Sequence, residues 1–221
     1  MGVLGNIKGF FGKTLYYPGC TTHYKLPHLE ERYKEILKKL GIKFVMLENL
    51  NCCGLPVLNA GYKVDFEELK EKNYRLLKKN GISRIIVNCP ECYHFLKEEY
   101  GLNVVHISQL LAKNKEMIKF KEEGEAAYHA PCYFTRYSKV DKPIEVIEKT
   151  GIEINQVCRE CCGAGGNFKQ NFPKQADQVA KLRLSKVNAK KLITPCPNCY
   201  MHFKENAKEH EIIELSEVIE L

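Results

Sequence analysis

Ten of the eleven cysteines in this chain fall into two sets of five, and the second set repeats the first. Each set has a lone cysteine, then an adjacent pair before a glycine, then a C-P-x-C. In the first half these are Cys20, Cys52-Cys53-Gly54 and Cys89-Pro90-Glu91-Cys92. In the second they are Cys132, Cys161-Cys162-Gly163 and Cys196-Pro197-Asn198-Cys199. Matching positions are offset by 112 residues at the lone cysteine, 109 at the pair and 107 at C-P-x-C. That is a two-fold internal duplication and not a solenoid. The flanks repeat as well: Tyr93 and Phe95 match Tyr200 and Phe203 with one insertion, and 104–108 matches 212–216.

Length and composition narrow the class. A chain of 221 residues makes one domain or two small ones and can bury a core without staples. It has no apolar run long enough to span a bilayer, so no transmembrane segment is expected. Residues 1–13 lack a charged start, a long apolar stretch and a cleavage motif, so no signal peptide is expected either. The expected location is the cytoplasm, free or peripheral to a membrane complex. In a reducing compartment eleven cysteines argue for metal binding or redox chemistry over structural disulfides. The net charge of +7 comes from 34 basic and 27 acidic residues. The lysines are interleaved with glutamates, as in Glu30-Glu31-Arg32-Tyr33-Lys34-Glu35, which is the pattern of solvated helix faces. Nucleic acid is therefore not an expected partner. The excess of positive charge suits docking to an acidic protein.

Periodicity predicts alternating strands and helices in both halves. Strands are expected at 13–17, 42–47, 82–87 and 104–107, with helices at 27–40, 65–80, 93–100 and from Ser108 to about Lys119. Leu29, Tyr33, Ile36, Leu37 and Leu40 share one face of the helix at 27–40, with Pro27 at its start and Gly41 past its end. A charged hinge at 121–125 separates the halves, and residues 1–12 form an arm. Strands then recur at 126–129, 152–157, 192–194 and 212–215, with helices at 142–149 and 177–189, after Cys199, and from Ser216. The expected domains are 13–120 and 125–221. The expected class is α/β, two tandem pseudo-symmetric repeats, each a small parallel sheet with flanking helices. In such sheets functional groups collect beyond the carboxyl ends of the strands, and every cysteine motif lies there in this reading.

Five thiols per half leave three chemistries open: an iron–sulfur cluster, zinc, or a thiol–disulfide centre. A C-x-x-C at a strand–helix junction brings two sulfurs to one metal position, and the amides of the helix start favour thiolate. Pro90 and Pro197 stiffen those turns. Structural zinc takes four tetrahedral ligands, which five thiols overfill. Adjacent cysteines in extended backbone point to opposite sides, and a body of several irons accommodates that more easily than one small ion. Four thiolates per cubane is the usual count, so the fifth would bridge irons, replace a ligand or react. The iron–sulfur reading is preferred, with zinc and a dithiol centre as alternatives. The glycines of Gly163-Ala164-Gly165-Gly166 match no phosphate loop and are read as letting amides approach sulfur. Of the histidines near cysteines in sequence, His23, His94 and His202 read as packed or surface residues. His129 is the candidate for proton delivery, since an ordinary imidazole titrates near neutrality. Tyr17, Tyr93 and Tyr200 read as core aromatics.

The pattern C-x31-C-C-x35-C-x-x-C resembles the CCG cysteine-rich domain of the B-type heterodisulfide reductase subunit and its relatives. Those relatives include the iron–sulfur subunits of glycolate, glycerol-3-phosphate and lactate oxidation systems and of thiol:fumarate reductase. The resemblance covers nearly all of the chain after residue 13. It implies [4Fe–4S]-type clusters, in some members non-cubane with five cysteines. By matching positions, Cys20, Cys52, Cys53, Cys89 and Cys92 would hold one. Cys132, Cys161, Cys162, Cys196 and Cys199 would hold the other. The second half departs from the pattern, with 28 residues between Cys132 and Cys161, 33 between Cys162 and Cys196, and an extra Cys158 as a candidate substitute ligand. One or two clusters are therefore expected, with zinc as the alternative in one half. The implied function is an iron–sulfur redox subunit that reduces a disulfide or related substrate. The alternatives are an electron-transfer subunit of a flavin-dependent dehydrogenase of lactate, glycolate or fumarate type, and a zinc-binding structural module. No flavin or nicotinamide motif is present, so a ferredoxin-type iron–sulfur subunit and a flavoprotein subunit are the expected partners.

Overall fold

The computed structural model describes residues 12–50, 52–114, 116, 119–120 (backbone alone), 124–149 and 151–220. The arm expected at 1–12 lies outside them except for Gly12. The first half builds a parallel sheet from β1 (Lys13–Tyr17), β2 (Ile82–Val87) and β3 (Val104–His106), in the order β1-β2-β3. After β4 (Lys119–Phe120), the second half builds a parallel sheet from β5 (Gly124–His129), β6 (Ile152–Cys158), β7 (Lys191–Thr194) and β8 (Glu211–Glu214), in the order β6-β5-β7-β8. The two orders correspond. Segment 42–47 meets the outer side of β1 at Leu15 and Val45, the place that β6 occupies beside β5. The molecule is thus an α/β protein of two like halves, as the pattern predicts.

Most expected elements are present, with their ends moved for local reasons. Segment 42–47 makes one bridge instead of a strand: Tyr16 donates to the Val45 carbonyl at 2.9 Å and Val45 to the Thr14 carbonyl at 2.9 Å. Helix α2 (Pro27–Lys39) starts on its proline and buries Leu29, Tyr33, Ile36 and Leu37 on one face. Helix α4 (Lys63–Lys79) begins two residues before Asp65, and α5 (Pro90–Glu98) begins on the proline of C-P-x-C. Helix α6 (Ile107–Lys113) is capped by His106 and not by Ser108. The His106 ring accepts from the Ser108 amide, and the Gln109 side chain accepts from the His106 amide. It stops at Lys113, well before the expected Lys119; the Asn114 side chain donates to the Leu110 carbonyl at 2.8 Å, and Lys119 itself stands in β4.

The expected last helix from Ser216 is one 3-10 turn (Leu215–Val218) followed by β9 (Ile219–Glu220), which pairs antiparallel with β4. Arg32 of α2 explains the difference. Its guanidinium donates to the Ser216 carbonyl at 2.9 Å and the Ile219 carbonyl at 2.7 Å, which holds this segment in its turn-and-strand path against α2. Helix α9 (Pro173–Leu184) starts earlier than 177 because Pro173 fits its first turn. Short elements that periodicity does not reveal follow the cysteine motifs: α1 (Cys20–Lys25), α3 (Leu55–Asn59), a π-helix (Tyr133–Ser138) and α8 (Phe168–Asn171). Helices α7 (Lys142–Glu148) and α10 (Pro197–Asn206) complete the fold.

The halves share a core. Tyr33, Ile36 and Leu37 of α2 and Leu111 of α6 pack in one apolar cluster with Tyr128, Val146, Ile147, Ile193 and Leu215 of the second half. No helix among the described residues is long and apolar enough to cross a membrane.

Candidate metal centres

Five of the six cysteine motifs lie just past the carboxyl end of a strand, where the chain turns before its next helix, and Cys52-Cys53 follows the segment 42–47 that bridges to β1. Cys20 follows β1, Cys89 follows β2, Cys132 follows β5, Cys161 follows β6 and Cys196 follows β7. The structure brings the first set together as a chain of interacting thiols, Cys20 to Cys52 to Cys53 to Cys92 to Cys89. The second set repeats it, Cys132 to Cys161 to Cys162 to Cys199 to Cys196, and Cys162 Sγ lies 3.2 Å from Cys199 Sγ. All eleven cysteines are free thiols, and Cys20 is exposed.

Backbone amides point at these sulfurs. Gly163 N donates to Cys161 Sγ and Ala164 N to Cys162 Sγ, both at 3.4 Å. Gly54 and Leu55 do the same for Cys52 and Cys53. The turn requires glycine after each pair, since φ is +93° at Gly54 and +88° at Gly163, a region costly for side chains. Within each set most protons are held by a neighbouring sulfur. Cys20, Cys92, Cys132 and Cys199 are pushed up, first by donating to the next sulfur and then by burial. One sulfur per set receives two such bonds and is the readiest thiolate. Cys53, accepting from Cys52 and Cys92, is lowered to about 5. Cys161, accepting from Cys132 and Cys162, is lowered to about 2.

Five soft sulfurs converging at each site, with amide donors aimed at them, fit a thiolate-ligated metal body. Five packed thiolates repel one another unless a cation lies among them. The second centre adds a nitrogen. A ring nitrogen of His129, Cys162 Sγ and Cys199 Sγ lie within 4.8 Å of one another. The His129 Nε2 is buried and has no hydrogen-bond partner, and the ring stands edge-on to Phe203 at 4.8 Å. Burial lowers His129 to about 4, so its imidazole is neutral at neutral pH and offers a lone pair. In the first half Tyr17 occupies the matching position, three residues before the lone cysteine, and its phenol is pushed up by burial and by Cys92. Cys158 pairs in register with His129 but stands outside the chain of interacting thiols. Its thiol is raised by burial and then by Glu160. The other histidines have different partners: His23 pairs with Glu30, His94 with Ser138, and His202 with the Ala176 carbonyl.

The two centres face each other across the halves. Asn167, just after the second pair, donates to the Pro56 carbonyl at 3.1 Å, and Asn198 Nδ2 donates to Glu91 Oε2 at 3.1 Å. Between them lies Glu91, which no sequence motif singles out. Its counterpart in the repeat is Asn198, and the shared polar character of that x in C-P-x-C was the available signal.

Comparison with known proteins agrees with this geometry. The family model for the CCG cysteine-rich domain matches twice, over residues 14–97 and 126–204. The chain belongs to the CCG cysteine-rich domain family. Over 93% of its length this CCG protein is 29% identical to a subunit of the fumarate reductase (CoM/CoB) of Methanothermobacter marburgensis, of which it covers 45%. Over 94% it is 32% identical to a subunit of the dihydromethanophenazine:CoB–CoM heterodisulfide reductase of Methanosarcina mazei, covering 57% of that protein. Over 94% it is 26% identical to the EtfAB:quinone oxidoreductase of Syntrophomonas wolfei, covering 33%. The chain thus spans about half the length of the curated relatives it matches, and these are oxidoreductases or subunits of them.

Proposed function

We propose that this CCG protein is the iron–sulfur redox component of an oxidoreductase complex and acts on a disulfide or related substrate. Cys20, Cys52, Cys53, Cys89 and Cys92 would hold one [4Fe–4S]-type cluster. Cys132, Cys161, Cys162, Cys196 and Cys199 would hold the second. The observation that carries the reading is the pair of facing five-sulfur sets, each with amide donors on its Cys-Cys pair. When bound, such a cluster supplies electrons one at a time. The chain's own residues fix the sulfurs, hydrogen-bond them through Gly54, Leu55, Gly163 and Ala164, and leave Cys20 exposed to an incoming group. Electrons would come from a partner, and a ferredoxin-type subunit and a flavoprotein are the partners we propose, in line with the relatives being complex subunits.

A second reading concerns the second centre alone. The His129 imidazole beside Cys162 and Cys199 supplies the nitrogen and sulfur donors that zinc favours, so zinc in that half is the alternative. In the cluster reading the same imidazole is the candidate for proton handling. Cys158 is then a reserve ligand outside the chain of interacting thiols.

Anaerobic purification with iron, zinc and acid-labile sulfide analysis tests both. Two clusters' worth of iron and sulfide are expected; zinc with no sulfide rejects the cluster reading. Adding a disulfide or thiol is expected to change the EPR spectrum. An unchanged spectrum leaves electron transfer without a substrate as the function. Cys53→Ser is expected to lower the iron content.

A further inference from the structure

Glu91 stands in the first turn of α5, between Cys89 and Cys92, and Asn198 stands at the matching place in α10, between Cys196 and Cys199. The two side chains meet across the halves. Asn198 Nδ2 donates to Glu91 Oε2 at 3.1 Å, and Thr21 Oγ1, next to Cys20, donates to Asn198 Oδ1 at 2.6 Å. The other carboxylate oxygen lies against the second Cys-Cys-Gly loop. A methyl group built on Gly165 would collide with Glu91 Oε1, so any side chain there would push the carboxylate off this loop. Glu91 is partly buried and lies near sulfurs of both sets, Cys20 in the first and Cys161 in the second.

Besides standing as the acidic residue in the first turn of α5, this carboxylate is tied to the opposite half through Asn198 and seated on the opposite loop at Gly165. From this geometry, and resting on the cluster reading above, we propose that Glu91 is a positioning residue shared by both centres. The Asn198–Glu91–Gly165 contact fixes the two cysteine loops against each other and sets the electrostatic environment of both clusters together. Outer groups of this kind orient first ligands and tune metal potentials, and partial burial keeps the interaction from being screened away.

The test is an anaerobic redox titration followed by EPR at one fixed pH, comparing the intact protein with Glu91→Gln, Gly165→Ala and Glu98→Gln. Glutamine keeps an oxygen for Asn198 but removes the charge. Reduction adds negative charge to a cluster, so a nearby anion opposes it, and both midpoint potentials are expected to rise in Glu91→Gln. Gly165→Ala keeps the charge but displaces it from the second loop and is expected to shift both potentials as well. Glu98→Gln, on the exposed far end of α5, is expected to move neither. Potentials that stay in place, or a shift confined to the Cys89/Cys92 centre, overturn the proposal while leaving the cluster reading intact. If Glu91→Gln loses iron, loss from both centres together supports the proposal and loss from the first alone overturns it. A wild-type protein without iron and sulfide removes the cluster reading and this inference with it.

Discussion

At the scale of single residues, corresponding positions of the repeat have taken on different chemistry. His106 and Glu214 end equivalent strands, and both cap the turn that follows by accepting from a serine amide two residues on. Glu214 is fully buried: Tyr33 donates to its Oε1 at 2.5 Å, and the Ser216 amide and hydroxyl donate to its Oε2 at 2.8 and 2.6 Å. Burial still dominates and raises its acid to about 7, with nearby Glu217 adding to the shift. A carboxyl that holds its proton more tightly when folded stabilises the fold below its ordinary value of 4.5, and that contribution is lost as pH rises through about 7. Glu214→Gln is therefore expected to flatten the fall in stability between pH 4.5 and 7, where one such group contributes a slope of up to about 1.4 kcal/mol per pH unit. Chemical denaturation of both proteins across that range measures it. Equal slopes would show that Glu214 does not titrate there. The burial of this carboxyl was invisible in the sequence, because the partners that hold it, Tyr33 above all, lie far away along the chain.

At the scale of elements, the turn from strand to helix is what builds the centres. The left-handed glycine after each cysteine pair turns the chain away from the sulfurs, and the two adjacent thiols interact although neighbours on a strand would diverge. A methyl group at Gly54 would lie 2.8 Å from the Phe66 ring, whereas at Gly61, with φ +89°, nothing lies within 4 Å. Gly61→Ala should lose only the backbone preference, about 1–2 kcal/mol. Gly54→Ala should lose that and more through the clash with Phe66, and thermal unfolding of the two variants measures the difference. Equal losses would mean that Phe66 moves aside freely. Strands and long helices were legible in the sequence because their periods of two and 3.6 residues are local. The short helices at 20–25 and 55–59 span too few residues to show a period. The end of α6 and the 3-10 turn at 215–218 depend on β4–β9 pairing and on Arg32, contacts that no local pattern reports.

At the scale of the whole molecule, the halves repeat in sequence but do not keep separate cores. Leu37 of α2 and Ile147 of α7 are fully buried in one cluster that spans both. Leu37→Ala is expected to cost about 2–5 kcal/mol, as buried leucine truncations do. The loss should appear equally in amide exchange of β2 and β7, through one cooperative unfolding transition. Protection lost in β2 alone would show that the halves unfold independently. The same packing holds the second Cys-Cys-Gly loop against α3 through the Asn167–Pro56 bond, so the spacing of the two centres is a property of the shared core.

The sequence by itself determined which thiols form a set. Each motif follows a short apolar run, and the duplicated spacing, 31 and 35 residues in one half against 28 and 33 in the other, matches cysteine to cysteine. It also determined the family, because ten cysteines in one order, twice, are read without any three-dimensional knowledge. Only the tertiary structure decided that the two sets face each other, that Glu91 lies between them, and that the His129 ring comes to rest beside Cys162 and Cys199. These placements come from how two sheets and their helices pack across more than a hundred residues of chain. Such packing is fixed by the shape of buried side chains in contact, which leaves no periodic or spaced signature along the sequence.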